Sequence, residues 1–405
     1  MLTPSAPTSS TQAQTRSVKA SQWLIKYALP AGWLALLTGM FWVGDRSLYH
    51  KLYYGLLAAP TLAVITCQPK HLTTFVRHPL VISYILFASY VCLSVLWSTS
   101  ETQSQSLIKR PIYILVLMLS ASLLATAPPN RLIQVLKAAG VLVVICTALS
   151  YGYFIYADQS AHGQRFSGYG ALYNPLLSAH IFGFFATFWL SSWFIARKLW
   201  TPLPLACLAA LGVVILATGS RTPLLALSVT AIWLCIASER RRGWLTLSVG
   251  ALLAVVLLYI YPTAILDRGL SYRPDIWLEA WRTAEEKLLF GHGYDHRLTL
   301  DIKDTRLTFN DPHNLELAVL LAGGLVGLTL WISLYAIAMI YSWRNRRNPS
   351  VLIVSSLIVF GFAAGLTEGR DFLSRPKEHW FLIWIPFSLL LYVWLQSDSK
   401  PDAAK

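Results

Sequence analysis

Residues 313–342 read HNLELAVLLAGGLVGLTLWISLYAIAMIYS. Thirty residues pass with Glu316 as the only charge. A bilayer core takes about 20 apolar residues of helix, whereas a helix on a soluble protein keeps a polar face. This stretch therefore predicts a membrane-spanning helix. Working outward from it, eleven further apolar blocks appear, at 23–44, 52–67, 79–98, 107–126, 132–157, 172–196, 202–218, 222–238, 244–261, 350–367 and 379–396. The blocks 52–67, 202–218 and 222–238 are short and fit tilted or partly re-entrant pieces. The expected fold is an all-α integral membrane protein of about twelve transmembrane helices.

Composition agrees. Of 405 residues, 55% are hydrophobic and only 13% charged, with a mean hydropathy of +0.52. A soluble domain carries about 25% charged residues to wet its surface, so a chain of soluble domains is excluded. The net charge of +14 sits in short basic clusters between apolar runs. That is a topology signal and argues against nucleic acid as a partner. All five cysteines fall inside apolar blocks and read as small hydrophobes.

The expected organisation is a cytoplasmic tail at 1–22, spans within 23–261, a long periplasmic segment at 262–312, spans within 313–396, and a second cytoplasmic tail at 397–405. Lys and Arg set the orientation: 17 fall on the side of the termini and 16 on the other, seven of those in 262–312. Long segments cross with less regard to charge, which leaves 17 against 9 and places both termini in the cytoplasm. The segments 158–171, 219–221, 262–312 and 368–378 then share the outer face. No internal repeat is visible, and charges crowd that outer boundary. Both observations weaken the reading as a transporter, which would gather ionisable groups and broken helices near the midplane.

Pro274 to about Leu289 predicts an amphipathic helix within the long segment, with Ile276, Trp277, Ala280, Trp281, Ala284 and Leu288 at three- and four-residue spacing. Gly291-His292-Gly293 ends it. Trp277 and Trp281 either rest on the membrane surface or pack inward. His313, at the head of the following span, is a candidate base at the lipid–water boundary; a histidine capping an interfacial helix is the alternative. Glu316, one turn on, either orients His313 or satisfies a neighbouring arginine. Arg221, in the tight turn Thr218-Gly219-Ser220-Arg221-Thr222-Pro223, is either an interfacial anchor or part of an anion pocket with Ser220. Arg165, Arg370 and Arg375 add outer-face cations beyond what anchoring needs, and a phosphate or diphosphate would use them.

There is no P-loop, no HExxH and no Asp-x-Asp pair. His292, Asp295 and His296 lack a fourth zinc ligand at sensible spacing. No metal and no cofactor is expected. Without a nucleotide site, an enzyme on this face must use a donor that is already activated. A lipid-diphosphate-linked substrate fits: it is membrane-bound, anionic and carries its own leaving group.

Four motifs in order resemble the O-antigen ligase/polymerase superfamily: Arg165-x-x-Gly168 followed by Asn174-Pro175; Gly219-Ser220-Arg221-Thr222; Arg273-Pro-Asp-Ile-Trp277 ending in Phe290-Gly291-His292-Gly293; and His313-Asn314-Leu315 leading into Ala322-Gly323-Gly324-Leu325-Val326-Gly327. The resemblance spans roughly 160–345. Lys287-Leu288-Leu289-Phe290-Gly291 departs from the family pattern, which often has proline before the leucine. Length and the single long periplasmic segment look most like the ligase members. The resemblance implies transfer of a glycan from undecaprenyl diphosphate to lipid A-core oligosaccharide in a Gram-negative inner membrane, without metal or ATP. A polymerase of the same superfamily, using a second lipid-linked glycan as acceptor, is the alternative. Carried over by motif, His313 is the general base and Arg221 and Arg273 bind diphosphate, with Arg268 as a competitor for Arg273. Arg165, Ser220, Asn314, Glu316 and Arg370 complete the candidate substrate contacts, and membrane lipids surround the whole.

Overall fold

A computed structural model describes residues 17–156, 165–196, 198–238, 272–302 and 307–399, together with positions 243, 248 and 250. The rest of the block 244–261, the start of the outer segment and Arg268 lie outside the described residues. Eleven of the twelve expected blocks are helical: α1 (Ser17–Phe41), α2 (46–67), α4 (Pro79–Trp97), α5 (Ser104–Leu124), α6 (Arg131–Tyr156), α7 (Pro175–Ile195), α8 (Pro202–Ala217), α9 (Thr222–Ser238), α11 (Leu315–Arg344), α12 (Pro349–Gly365) and α13 (Glu378–Asp398). Seven of the described helices (α1, α4, α5, α6, α7, α11, α13) are long and apolar enough to cross a membrane, and α8, α9 and α12 are shorter apolar helices. The protein is an all-α membrane protein.

Helix α2 starts at Arg46, well before the apolar block at 52–67, because Asp45 caps it by accepting from Leu48 N at 2.9 Å. Its polar first turns find partners in a distant loop: Arg46 pairs with the buried Glu378, and the His50 ring meets the Pro376 carbonyl at 3.0 Å. A short helix, α3 (Lys70–Val76), joins α2 to α4 and is an addition to the predicted set. Asn174 and Asn348 cap α7 and α12 in the same manner as Asp45, accepting from backbone N–H groups beyond a proline in the first turn. Helices α7 and α13 are the most enclosed spans, and α7 packs against α8, α9 and α12.

The stretch that predicted one uninterrupted helix is two. Leu315–Arg344 breaks at Gly324, whose φ of 60° and ψ of −161° belong to no helix. The bend is sharp enough that a Cβ on Gly327 would lie 3.7 Å from the Val319 carbonyl, and Leu328 beyond it packs against the same small cluster that holds Leu320 and Leu321. Carbonyls freed by the break are taken by the turn after the amphipathic helix: His292 N donates to Leu321 O at 2.8 Å and Gly293 N to Ala322 O at 2.9 Å. Leu325 N donates back to Leu288 O at 2.8 Å, and Tyr90 Oη to Gly323 O at 2.8 Å. An interrupted helix in a membrane survives only where such partners satisfy its backbone. Backbones must touch for this: a Cβ on Gly324 would sit 2.4 Å from the Leu289 carbonyl group, and one on Gly291 would sit 2.5 Å from Ala322 O.

The amphipathic helix α10 (Arg273–Glu285) has proline in its first turn and ends four residues short of the expected Leu289, in a run of turns that leads to Gly291. Its buried face, Ile276, Ala280 and Ala284, packs on Leu320 and Leu321 of the first half of α11. Trp277 joins that cluster, whereas Trp281 is 44% exposed and donates to Glu285 at 2.7 Å. A two-stranded antiparallel hairpin, β1 (Leu300–Asp301) and β2 (Thr308–Phe309), lies where only a polar loop was expected, and Leu300 and Ile302 complete the small core.

Candidate active site

The first half of α11 starts at Asn314, whose Oδ1 accepts from Leu317 N at 3.0 Å while its Nδ2 donates to Leu366 O at 2.9 Å. This pair of hydrogen bonds ties the α11 N-terminus to the chain leaving α12, and it occupies both ends of the Asn314 amide. His313 precedes it with φ of 47°, a left-handed value unusual for a residue bearing a side chain. The turn is held by Asp311, whose Oδ1 accepts from His313 N at 2.8 Å.

Held this way, the His313 ring meets a carboxylate that sequence reasoning passed over. Nδ1 lies 3.0 Å from Glu368 Oε1, and Glu368 Oε2 accepts from Arg273 Nη2 at 3.1 Å. One buried carboxylate (4% exposed) thus bridges histidine and arginine, which are 28% and 22% exposed. A carboxylate at this spacing only accepts, so in the neutral ring the proton sits on Nδ1 and the lone pair on Nε2. The hydrogen bond from Glu368 raises the His313 pKa above its ordinary value despite partial burial, with Glu368 and Asp311 charge adding to it. Burial pushes the Glu368 carboxyl up, but the His313 bond and the charges of His313 and Arg273 outweigh it and hold the group below the usual carboxylate range. Burial raises the Asp311 carboxyl, with His313 opposing. Arg273 Nε is buried with no hydrogen-bond partner among the described residues. A donor left over in this way is available to an anion.

A second group converges from α7, α8 and α9. Thr218 Oγ1 accepts from Ser220 N at 3.2 Å and closes the turn, and Ser220 Oγ lies 3.3 Å from Thr222 Oγ1. Thr222 Oγ1 is 3.0 Å from His180 Nε2, and His180 Nδ1 is 2.8 Å from Leu176 O. Since a carbonyl only accepts, His180 donates through Nδ1, and Thr222 donates to Nε2. Arg165 Nε donates to Thr218 O at 2.6 Å, and Phe166 N to Ala217 O at 3.0 Å, so Arg165 is drawn onto the turn that bears Arg221.

Of the predicted residues, the structure gathers His313 with Arg273, and Arg165 with Ser220 and Arg221. Three stand elsewhere. Asn314 acts as a helix cap. Arg370 donates through Nη1 to Asn310 O and through Nη2 to His296 O, which clamps the loop between them. Glu316 turns from His313: its buried oxygens make no hydrogen bond among the described residues, and Tyr335 is within its electrostatic range. The orienting acid is Glu368, not Glu316. Asp295 pairs with Arg110 at 3.2 Å, and His292 stacks on His296 at 5.2 Å between centroids. The signal for Glu368 was an acid beside a glycine directly after an apolar block, in Thr367-Glu368-Gly369-Arg370; the signal for His180 was a lone histidine inside the apolar block 172–196.

A family model described as O-Antigen ligase matches residues 205–332, which hold the 218–222 turn, α10 and His313. Over 379 residues, 93% of this chain and 93% of the relative, the sequence is 49% identical to an O-antigen ligase of Pseudomonas aeruginosa. Identity at that level along nearly the whole length covers every element of the site. The chain belongs to the O-antigen ligase family.

Proposed function

We propose that the protein transfers O-antigen polysaccharide from undecaprenyl diphosphate to lipid A-core oligosaccharide at the periplasmic face of the inner membrane, with both termini in the cytoplasm. The observation that carries this reading is the buried Glu368 carboxylate bridging the His313 ring and Arg273. It fixes a base beside a cation, as acid–base catalysis next to an anionic leaving group requires.

In this proposal His313 Nε2 takes the proton of an acceptor hydroxyl while that oxygen attacks the anomeric carbon of the donor glycan. The bond from that carbon to the diphosphate oxygen breaks, and undecaprenyl diphosphate leaves from the opposite face with inversion. Glu368 stabilises the imidazolium that forms, as a buried carboxylate does behind other catalytic histidines. A positioned base contributes typically 10²–10⁴-fold. Arg273, through its spare Nε, and Arg221 with Arg165 and Ser220 meet the charge growing on the leaving oxygen, where each well-placed donor is worth on the order of 10²–10³ in rate. These cations supply the charge that a metal would supply, so transfer is proposed to need neither metal nor ATP. Arg268 is assigned a supporting contact with the same diphosphate. Asn314 and Arg370 serve as positioning residues through their backbone bonds.

The test is complementation of a cell lacking its own ligase with wild-type protein and with His313→Ala, at matched membrane levels. The proposal expects long O-antigen on lipid A-core with the wild type only, and full-length polymer accumulating on the lipid carrier with the variant. No O-antigen on lipid A-core even with the wild type removes the ligase reading and leaves the polymerase, and long O-antigen with the variant removes His313 from the mechanism.

A further inference from the structure

An acceptor hydroxyl must reach His313, and the structure offers a cleft of a different chemistry from the arginine group. A cavity of about 700 Å³ is lined by Thr102, Asp295, Thr308, Phe309, Asn310 and Asp311, with Arg297, Arg370 and further polar residues around them. That size falls in the range of about 300–1,000 Å³ typical of ligand pockets. Asp311 connects it to the base: its Oδ1 accepts from His313 N at 2.8 Å, and its Oδ2 makes no hydrogen bond among the described residues.

Charge separates this cleft from a diphosphate site. Arg297 is paired with Glu101 at 3.1 Å, and Arg370 spends both its Nη groups on the carbonyls of His296 and Asn310. Asp295 is satisfied by Arg110, Ser100 and Thr102. The lining carries four carboxylates (Glu101, Asp295, Asp311 and Asp371) against two arginines (Arg297 and Arg370), so the cleft is acidic, and an amide, hydroxyl lone pairs and a ring complete it. A carboxylate repels a phosphate but accepts from a hydroxyl. The ring is Phe309, half-buried, with the half-exposed Tyr272 at 6.5 Å between centroids and 39° between planes. Tyr272 directly precedes Arg273 in the chain and meets the cleft through its contact with Phe309. Aromatic faces bordered by acceptors suit the C–H faces and hydroxyl edges of neutral sugar rings.

We propose that this cleft is the acceptor-sugar site: a neutral, hydroxyl-rich stretch of glycan lies against Phe309 and Tyr272 and presents one hydroxyl to His313, while Asp311 Oδ2 accepts from a neighbouring hydroxyl. This inference rests on the glycosyl-transfer reading above and divides its two substrates, the diphosphate to the arginine group and the acceptor sugars to the carboxylate-lined cleft.

The test is binding and kinetics on the full-length protein in nanodiscs. The binding probe is core oligosaccharide released from lipopolysaccharide by mild acid, which carries neither lipid A nor undecaprenyl diphosphate. Phe309→Ala should weaken its binding about 5–10-fold, the size of a lost aromatic stacking contact. The KM for acceptor should rise by a similar factor while the KM for lipid-linked donor stays unchanged. Phe309→Tyr keeps the ring and should restore both, which separates stacking from folding. Arg221→Ala should weaken the donor and leave oligosaccharide binding as in the wild type. Equal oligosaccharide binding by wild type and Phe309→Ala overturns the proposal, as does a rise confined to the donor KM, which makes this the donor-glycan site. His313→Ala should bind the oligosaccharide normally without turnover. If it turns over normally while Phe309→Ala still loses binding, the base assignment fails and the cleft stands.

Discussion

Replacing Glu368 by glutamine changes one oxygen to an NH₂ and leaves the shape intact, so its effect can be worked from the two contacts. Both carboxylate oxygens face donors: His313 Nδ1 at 3.0 Å and Arg273 Nη2 at 3.1 Å. A glutamine offers one acceptor and one donor, and must therefore present its NH₂ to one of the two. Arg273 cannot give up its proton, but the imidazole can change tautomer. The NH₂ then faces His313, Nδ1 becomes the acceptor, and the proton moves to Nε2, where the base is needed. Loss of the charge-assisted bond alone is worth about 1.5–3 kcal/mol, roughly 10- to 100-fold. The wrong tautomer adds to this, and the corresponding change behind a serine-protease histidine lowers kcat by about 10⁴. We expect Glu368→Gln to lower kcat by about 10³–10⁴, with normal membrane levels and a nearly unchanged donor KM. The assay is single-turnover transfer by purified protein in nanodiscs. His313→Ala and the double variant should be almost equally slow, because the acid acts only through the base. A Glu368→Gln enzyme within about threefold of wild type would refute the reasoning, and so would simple additivity of the two changes.

Four other outcomes follow from the same geometry. The Glu368 bond raises His313 above 6.5, and the base must be neutral, so activity should fall as pH drops through a midpoint above 6.5; a midpoint near pH 6 or below contradicts this. The same bond stabilises the protonated fold, so its contribution is full below the unfolded pKa and is lost as pH rises through the folded one. Melting temperature should therefore ease downward over the window in which activity climbs, and a rise there counts against the bond. Gly324→Ala puts a Cβ 2.4 Å from the Leu289 carbonyl group at φ 60°, costing at least about 1–3 kcal/mol of backbone strain; a melting temperature equal to wild type would show that the break can be closed. Arg370→Ala removes two bonds to carbonyls, so hydrogen exchange over 296–310 should quicken while the His313 pH midpoint stays put.

The spans were legible because a bilayer imposes length and apolarity on each helix, and the eleven blocks among the described residues needed only those two quantities. What followed α10 was less so. Hydropathy is blind to a helix that breaks inside an apolar run, and 313–342 carried no polar residue at Gly323-Gly324 to mark the bend; the glycine pair was visible only as a motif. The hairpin at 300–309 has strands of two residues each, too short for alternation to register. His313, Arg165 and Arg221 drew attention because charge at a span's edge is conspicuous, and Arg273 came with the motif that carries the family resemblance. Glu368 was missed because its meaning is its distance from residues 55 and 95 positions away, which no local spacing reports. Glu316 drew attention by lying at i+3 from His313, a relation that holds along a continuous helix, but His313 stands before the cap in a left-handed conformation and points its ring elsewhere.

The most direct test of the central claim is reconstitution: purified wild-type protein and His313→Ala in liposomes, with lipid-linked O-antigen and lipid A-core as sole substrates, and with ATP omitted and EDTA present. The account predicts glycan-bearing lipid A-core, with inverted configuration at the new linkage, from the wild type and a rate at least about 10²-fold lower from the variant. Transfer by the variant at the wild-type rate, or transfer that appears only on adding a divalent metal, would contradict it.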